Sequence, residues 1–204
     1  MSRYTDAKCR LCRREGAKLF LKGERCLSPR CPIEKKGAVP PGQHGQKGRK
    51  GPSSFGLQLR EKQKAKRTYG VLERQFRRYV SESAKKTGQT LLSILERRLD
   101  NVIYRLGFAS SRSVAHQIVS HGHSLINNKK INVPSYLVKT GQLISLDKKT
   151  QGMGIVKKNL EEKKYQPPAW LARQGAIGKV LRLPERNDIQ TDINEQLIAE
   201  YYSR

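Results

Sequence analysis

Nowhere does this chain run apolar for the ~18 residues that a membrane-spanning helix requires. Its opening, Met1-Ser-Arg-Tyr-Thr-Asp6, lacks the apolar stretch of a signal peptide, so a membrane or secreted protein is not expected. Acidic residues are scarce: 17 Asp and Glu stand against 42 Lys and Arg, a formal charge of +25. Apolar residues make up 36% of the 204, below the ~45–50% of ordinary globular domains, so the core is expected to be modest and the surface cationic. Also missing are a glycine-rich phosphate loop, a Ser/His/Asp order and paired carboxylates in a pocket-like setting. That argues against an enzyme and against a small-molecule substrate. A recognition helix or dimer motif of the usual DNA-binding kind is not evident either.

What is abundant is positive charge, which selects partners rather than fold, and a polyanion such as nucleic acid is the partner it implies. The charge is uneven. Residues 1–90 carry 24 basic and 7 acidic side chains, whereas the last twenty, Glu185–Arg204, are net −3. The first half is therefore expected to meet the polyanion and the acidic end to meet protein. On a scale of ~100–200 residues per domain, the length suits one large domain or two small ones.

All four cysteines lie in the first 31 residues as C-x2-C-x13-C-x4-C: Cys9, Cys12, Cys26 and Cys31. Two close pairs across a loop can aim four sulfurs at one tetrahedral ion. Two disulfides, or free thiols, are the alternatives, and disulfides suit poorly a chain without an export signal. The expectation is one zinc ion per chain, with a net −2 at the site and Lys8, Arg10, Arg13, Arg14, Arg25 and Arg30 flanking it to depress the thiol pKa values. Four protein ligands leave no open position, so the ion would be structural.

Residues 35–53 hold five Gly and three Pro and read as loop. Lys47, Arg49 and Lys50 sit there among glycines, as a phosphate-approaching strip or as a solvated linker. Composition leaves both open. Ser53 or Ser54 caps a helix running to Tyr69, Gly70 breaks it, and a second helix follows from Val71 to Val80. Arg60, Lys62, Lys64, Lys66, Arg67, Arg74, Arg77 and Arg78 stud this pair, with Tyr69 beside them, a pattern suited to phosphate contact and base or ribose stacking.

Leu91, Leu92, Ile94, Leu95, Leu99, Val102, Ile103 and Leu106 fall on one half of a helical wheel, which predicts a third helix ending at Gly107. Arg97, Arg98, Asn101, Tyr104 and Arg105 are expected on its outer side. A short fourth helix, capped by Ser110 or Ser111, turns Val114, Ala115, Ile118 and Val119 inward and Arg112, His116, Gln117, His121 and His123 outward. Residues 124–133 then read strand, tight turn at Asn127-Asn128, strand, and Leu143–Leu146 reads as a later strand.

Residues 91–146 resemble the small RNA-binding module named after a ribosomal protein. Pro40-Pro-Gly-Gln-His-Gly45, Leu59-Arg-Glu-Lys-Gln-Lys64, Tyr69-Gly-Val-Leu-Glu-Arg-Gln-Phe76, Arg98-Leu-Asp-Asn-Val102, Val119-Ser-His-Gly-His123, Leu183-Pro-Glu-Arg186 and Ile198-Ala-Glu-Tyr-Tyr-Ser-Arg204, with the four cysteines, run in order over essentially the whole chain. In them the chain resembles the family of bacterial small-subunit ribosomal protein number four, in its zinc-knuckle form. The resemblance implies an α+β fold: a mainly helical N-terminal domain with a zinc knuckle, plus a module of two helices and a small antiparallel sheet. The expected segments are 1–45 (knuckle), 46–90 (basic helical domain, completed by a returning 183–204), 91–155 (RNA-binding module) and 156–182 (its extension). It further implies direct binding of small-subunit ribosomal RNA, early assembly of the subunit body and a part in decoding accuracy. Contact with neighbouring small-subunit protein number five, a place near the messenger RNA entry path and a cytoplasmic, ribosomal location complete it. Expected RNA contacts are Arg13, Arg14, Lys35, Lys36, His44, Ser111, Ser113, Asn127 and Lys129, together with the loop, helix-pair and fourth-helix side chains named above. An RNA-modifying enzyme using the same module would need a further catalytic domain of ~150 residues, for which 147–204 leave no room. A zinc-dependent DNA regulator lacks its reading element.

Overall fold

The computed structural model describes residues 4–45, 51–85, 90–161 and 165–203. The chain divides into two compact units: one formed by residues 1–85 and 191–204, the other by 86–190.

The first unit begins with three short helices, α1 (Lys8–Glu15), α2 (Glu24–Leu27) and α3 (Pro32–Lys36). The longest element, α4 (Ser54–Tyr69), starts where the Ser53 hydroxyl accepts the Gly56 amide at 3.2 Å. It ends at Gly70, whose φ of +64° is open to glycine without the Cβ clash of other residues. α5 (Glu73–Lys85) follows, and α11 (Glu195–Tyr202), labelled in chain order, returns from the C-terminal end to pack on α4. Ala65, Tyr69, Phe76, Tyr79 and Ile198 are buried in this unit. The α11 aromatics add to it, with Phe55 and Tyr201 ring centroids 5.6 Å apart and those of Phe76 and Tyr202 6.3 Å apart.

The second unit opens with α6 (Leu91–Glu96), α7 (Leu99–Arg105) and α8 (Arg112–Ser120). The single helix expected over 91–106 is two. At Arg98 the backbone is extended (φ −62°, ψ 136°), and residues 97–99 pair with 136–138: Leu99 N–H donates to Tyr136 O at 2.8 Å, Val138 N–H to Arg97 O at 2.9 Å. A segment forty residues downstream takes up the groups that a continuous helix would have used. The sheet holds β1 (Ser124–Ile126), β2 (Lys129–Ile131), β3 (Leu143–Leu146), β4 (Leu171–Gln174) and β5 (Ile177–Val180), all antiparallel in the order β2-β1-β3-β5-β4. Asn127 and Asn128 join β1 to β2 with φ of 48° and 63°, the tight turn that this dipeptide predicts. β4 and β5 carry no sequence signal comparable to the first hairpin, and they widen the sheet, β5 by pairing with β3 and β4 by pairing with β5. α9 (Lys148–Gln151) and α10 (Gly154–Glu161) lie between β3 and β4. The core packs the apolar faces of α7 and α8 on the sheet around Leu99, Ile103, Phe108, Val119, Ile144 and Trp170. No helix among the described residues is long and apolar enough to cross a membrane.

Candidate nucleic-acid interface and cysteine cluster

Cys9, Cys12, Cys26 and Cys31 line one small cavity between α1, α2 and α3, together with Lys22, Arg25, Pro32 and Ile33. No disulfide joins them, and all but Cys9 are buried. The Lys22 N–H donates to Cys26 Sγ at 3.3 Å. Four sulfurs on one cavity are a donor set that suits zinc. As they stand, no group of three or more His, Cys, Asp or Glu side chains among the described residues is assembled to hold a metal. The thiol chemistry also departs from expectation. Burial pushes the Cys12 thiol above its ordinary value, the neighbouring cysteines add to the rise, and a backbone hydrogen bond with Leu19 only partly opposes it. The flanking cations do not prevail there.

The basic residues of the first unit separate into two sets. One set serves the fold. Arg13 donates to Val39 O at 2.7 Å and to Pro40 O at 3.2 Å. Arg60 and Arg67 both hold Glu15, whose side chain is 1% exposed. Burial raises the Glu15 pKa against the pull of Arg67, Arg60 and Arg14. Lys64 pairs with Glu61 and Asp192. Lys62 and Tyr69 correct an expectation. Both are buried, Lys62 between Glu73 at 3.0 Å and the Tyr201 ring at 4.3 Å, so neither is placed to meet RNA. Lys66 joins Lys62 on Glu73 at 2.9 Å. The other set faces outward: Arg14, Lys35, Lys36, His44, Arg74, Arg77 and Arg78 are exposed. Arg78 makes an i,i+4 pair with Glu82, and Arg77 lies 6.0 Å from the Tyr202 ring centroid. Lys47, Arg49 and Lys50 lie outside the described residues.

In the second unit, Ser111 is buried as the cap of α8, its hydroxyl accepting from Val114 N, so it too leaves the set of surface contacts. Arg112, Ser113 and His116 are partly exposed, and Gln117, His121, Asn127 and Lys129 are exposed. Asn127 Oδ1 accepts the Leu143 amide at 2.9 Å, which ties the hairpin turn to β3. His123 Nδ1 lies 3.1 Å from Asp147 Oδ2.

Beneath α8 runs a polar network that periodicity does not reveal. Arg98 and Asn101, expected on an outer face, are each 2% exposed. Arg98 donates twice to Asp100, at 3.0 and 2.6 Å, and Asp100 also faces His116 Nδ1 at 3.0 Å. Burial alone would raise the Asp100 pKa, but the charge of Arg98 and the His116 hydrogen bond hold it below the ordinary value. Glu96, with no exposure, accepts from Arg105 at 2.9 and 2.7 Å and from Asn101 Nδ2 at 2.7 Å. Asn101 Oδ1 in turn accepts Arg112 Nε at 2.7 Å, and the Arg112 guanidinium lies 4.6 Å from the Tyr104 ring centroid. One sequence signal points to this network: Glu96 stands four residues after Leu92 and three before Leu99, a charge within the apolar stripe.

Residues 3–96 match the family model described as ribosomal protein S4/S9 N-terminal domain, and residues 97–144 match that of the S4 domain. The chain is 53% identical over its full length, and over the full length of the relative, to small ribosomal subunit protein uS4A of Symbiobacterium thermophilum. Identity is 50% to small ribosomal subunit protein uS4 of Thermus thermophilus and 53% to that of Natranaerobius thermophilus, again over all of both chains. The chain belongs to the ribosomal protein S4 family.

Proposed function

We propose that this protein is a structural component of the small ribosomal subunit, cytoplasmic and not an enzyme, and that it binds the subunit's RNA directly. The observation that carries this reading is full-length similarity, at about half identity, to relatives named small ribosomal subunit proteins. The exposed Arg74, Arg77 and Arg78 of α5 and the partly exposed Arg112 and His116 of α8 support it, since these side chains suit phosphate contact. Further parts of the proposal rest on the resemblance. They are nucleation of the subunit body, a contribution to accuracy, a contact with small-subunit protein number five, and a zinc ion held by Cys9, Cys12, Cys26 and Cys31. When bound, zinc would cross-link a segment short of apolar residues. The cysteines would hold it in the cavity, and the Lys22 amide would stabilise the Cys26 sulfur.

Filter binding of the purified protein to small- and large-subunit ribosomal RNA over a salt series tests the central claim. Small-subunit RNA should be preferred, with log affinity falling by about 0.7–0.9 per phosphate neutralised as log salt rises. Arg77→Glu should weaken binding more than Lys157→Glu, a control whose ammonium lies 4.0 Å from Glu161. Equal loss at both positions, or no preference between RNAs, would refute directed binding.

A further inference from the structure

The Glu96–Asp100 pair poses an electrostatic problem. A carboxylate beside a polyanion's contact surface opposes binding, and a carboxylate out of water is costly unless fully partnered. Here both are enclosed and both are partnered, and their partners include Arg105 and His116, which are partly exposed. Glu96 is joined by its carboxylate to Arg105 through two hydrogen bonds and to Asn101 Nδ2, which also donates to the Glu96 carbonyl, and Asn101 passes the constraint on to Arg112. Asp100 is joined to Arg98, to His116 and to the Asn101 amide at 2.8 Å. Arg112 is further fixed by the face of Tyr104. Long cationic side chains ordinarily lose rotamer freedom when a ligand immobilises them. In this arrangement that ordering is already done by the fold, as pre-organised binding sites require.

We propose that the buried carboxylates of Glu96 and Asp100 are positioning residues: with Asn101 they hold Arg105, Arg112 and the His116 ring as one rigid, partly exposed array for phosphates of folded RNA. The inference rests on the RNA-binding reading above. It assigns to two acidic residues, which touch no RNA themselves, a share of the affinity carried by three basic ones.

The proposal differs in sign from simple charge counting. Glu96→Gln keeps the shape and removes a negative charge, while Glu96→Asp keeps the charge and shortens the reach. If the cations acted only as charge, Glu96→Gln would tighten RNA binding and steepen its salt dependence, and Glu96→Asp would change neither. If they act as a positioned array, both variants weaken binding by about tenfold, the loss of one well-placed charge-assisted contact. The salt slope should then become shallower by about one phosphate. Binding of full-length protein to a small-subunit ribosomal RNA fragment is measured over a salt series, with urea unfolding to check that each variant is folded. Arg112→Lys lies at the surface and keeps its charge, so it carries the same test should an enclosed variant fail to fold. It should also weaken binding about tenfold, because lysine has neither the Nε bond nor the stacking plane. Glu96→Asp combined with Arg105→Lys should cost less than the sum of the two if Glu96 acts through Arg105. Tighter binding by Glu96→Gln, or unchanged binding by Glu96→Asp and Arg112→Lys, overturns the array. Failure of the unsubstituted protein to bind would overturn the RNA reading itself, and the inference with it.

Discussion

Glu73 and Tyr202 stand 129 positions apart in the chain, and the Tyr202 hydroxyl donates to Glu73 Oε1 at 2.7 Å. The same carboxylate takes Lys62 at 3.0 Å and Lys66 at 2.9 Å, so one acidic side chain at the start of α5 ties α4 to the returning α11. Burial would raise the Glu73 pKa, but the hydrogen bonds from Lys66, Tyr202 and Lys62 outweigh it and lower it from 4.5 to about 2. The stabilisation is therefore complete above pH 4.5 and is lost as pH falls towards about 2. At 46% exposure, solvent screening reduces its size. Tyr202 is raised above its ordinary 10 by burial and by Glu73, so its share persists up to pH 10 and is lost at higher pH. Urea midpoints of the protein and of Glu73→Gln across pH 2–5 should converge at the acid end. Parallel curves would show that Glu73 is not the titrating link.

Gly178 faces Leu106 closely: a Cβ built there would lie 2.3 Å from Leu106 Cδ1, and Leu106 is fully buried. Gly178→Ala should destabilise the second unit by about 1–3 kcal/mol through overpacking. Leu106→Val in the same chain should recover part of that loss if the two side chains share one volume. Denaturant unfolding of the four-member set measures the coupling, and strict additivity would contradict the contact.

For the cysteines, metal analysis of the purified protein should find one zinc per chain. Cys26→Ser should release it and loosen residues 4–45, while the second unit keeps its unfolding transition. Absence of zinc, with all four thiols titratable by a bulky reagent, would end the zinc proposal.

Lys47, Arg49 and Lys50 test the entry-path assignment that the family resemblance implies. Their joint change to Ala should leave ribosomal RNA affinity and subunit assembly nearly intact, yet slow translation through structured messenger. A triple variant that fails to assemble would place the strip in the ribosomal RNA footprint instead.

Local chemistry made part of this molecule legible. Ser53 and Gly70 bound α4 because a hydroxyl cap and a left-handed glycine act within a few residues of themselves. Asn127-Asn128 turns the hairpin for the same reason, since both residues tolerate positive φ. The apolar stripe from Leu91 to Leu106 marked the core face, and the excess of Lys and Arg marked a polyanion as partner. The break at Arg97–Arg98 could not be read from that stripe, because the groups that pair there belong to residues 136–138. Nor could the fate of Lys62, which Tyr201 and Tyr202 of α11 and Glu73 enclose, or the burial of Tyr69. Spacing identifies a charged residue but not its partners. Whether Glu96 is a solvated acid or a buried anchor depends on Arg105 and Asn101 being brought to it, and only the folded chain does that.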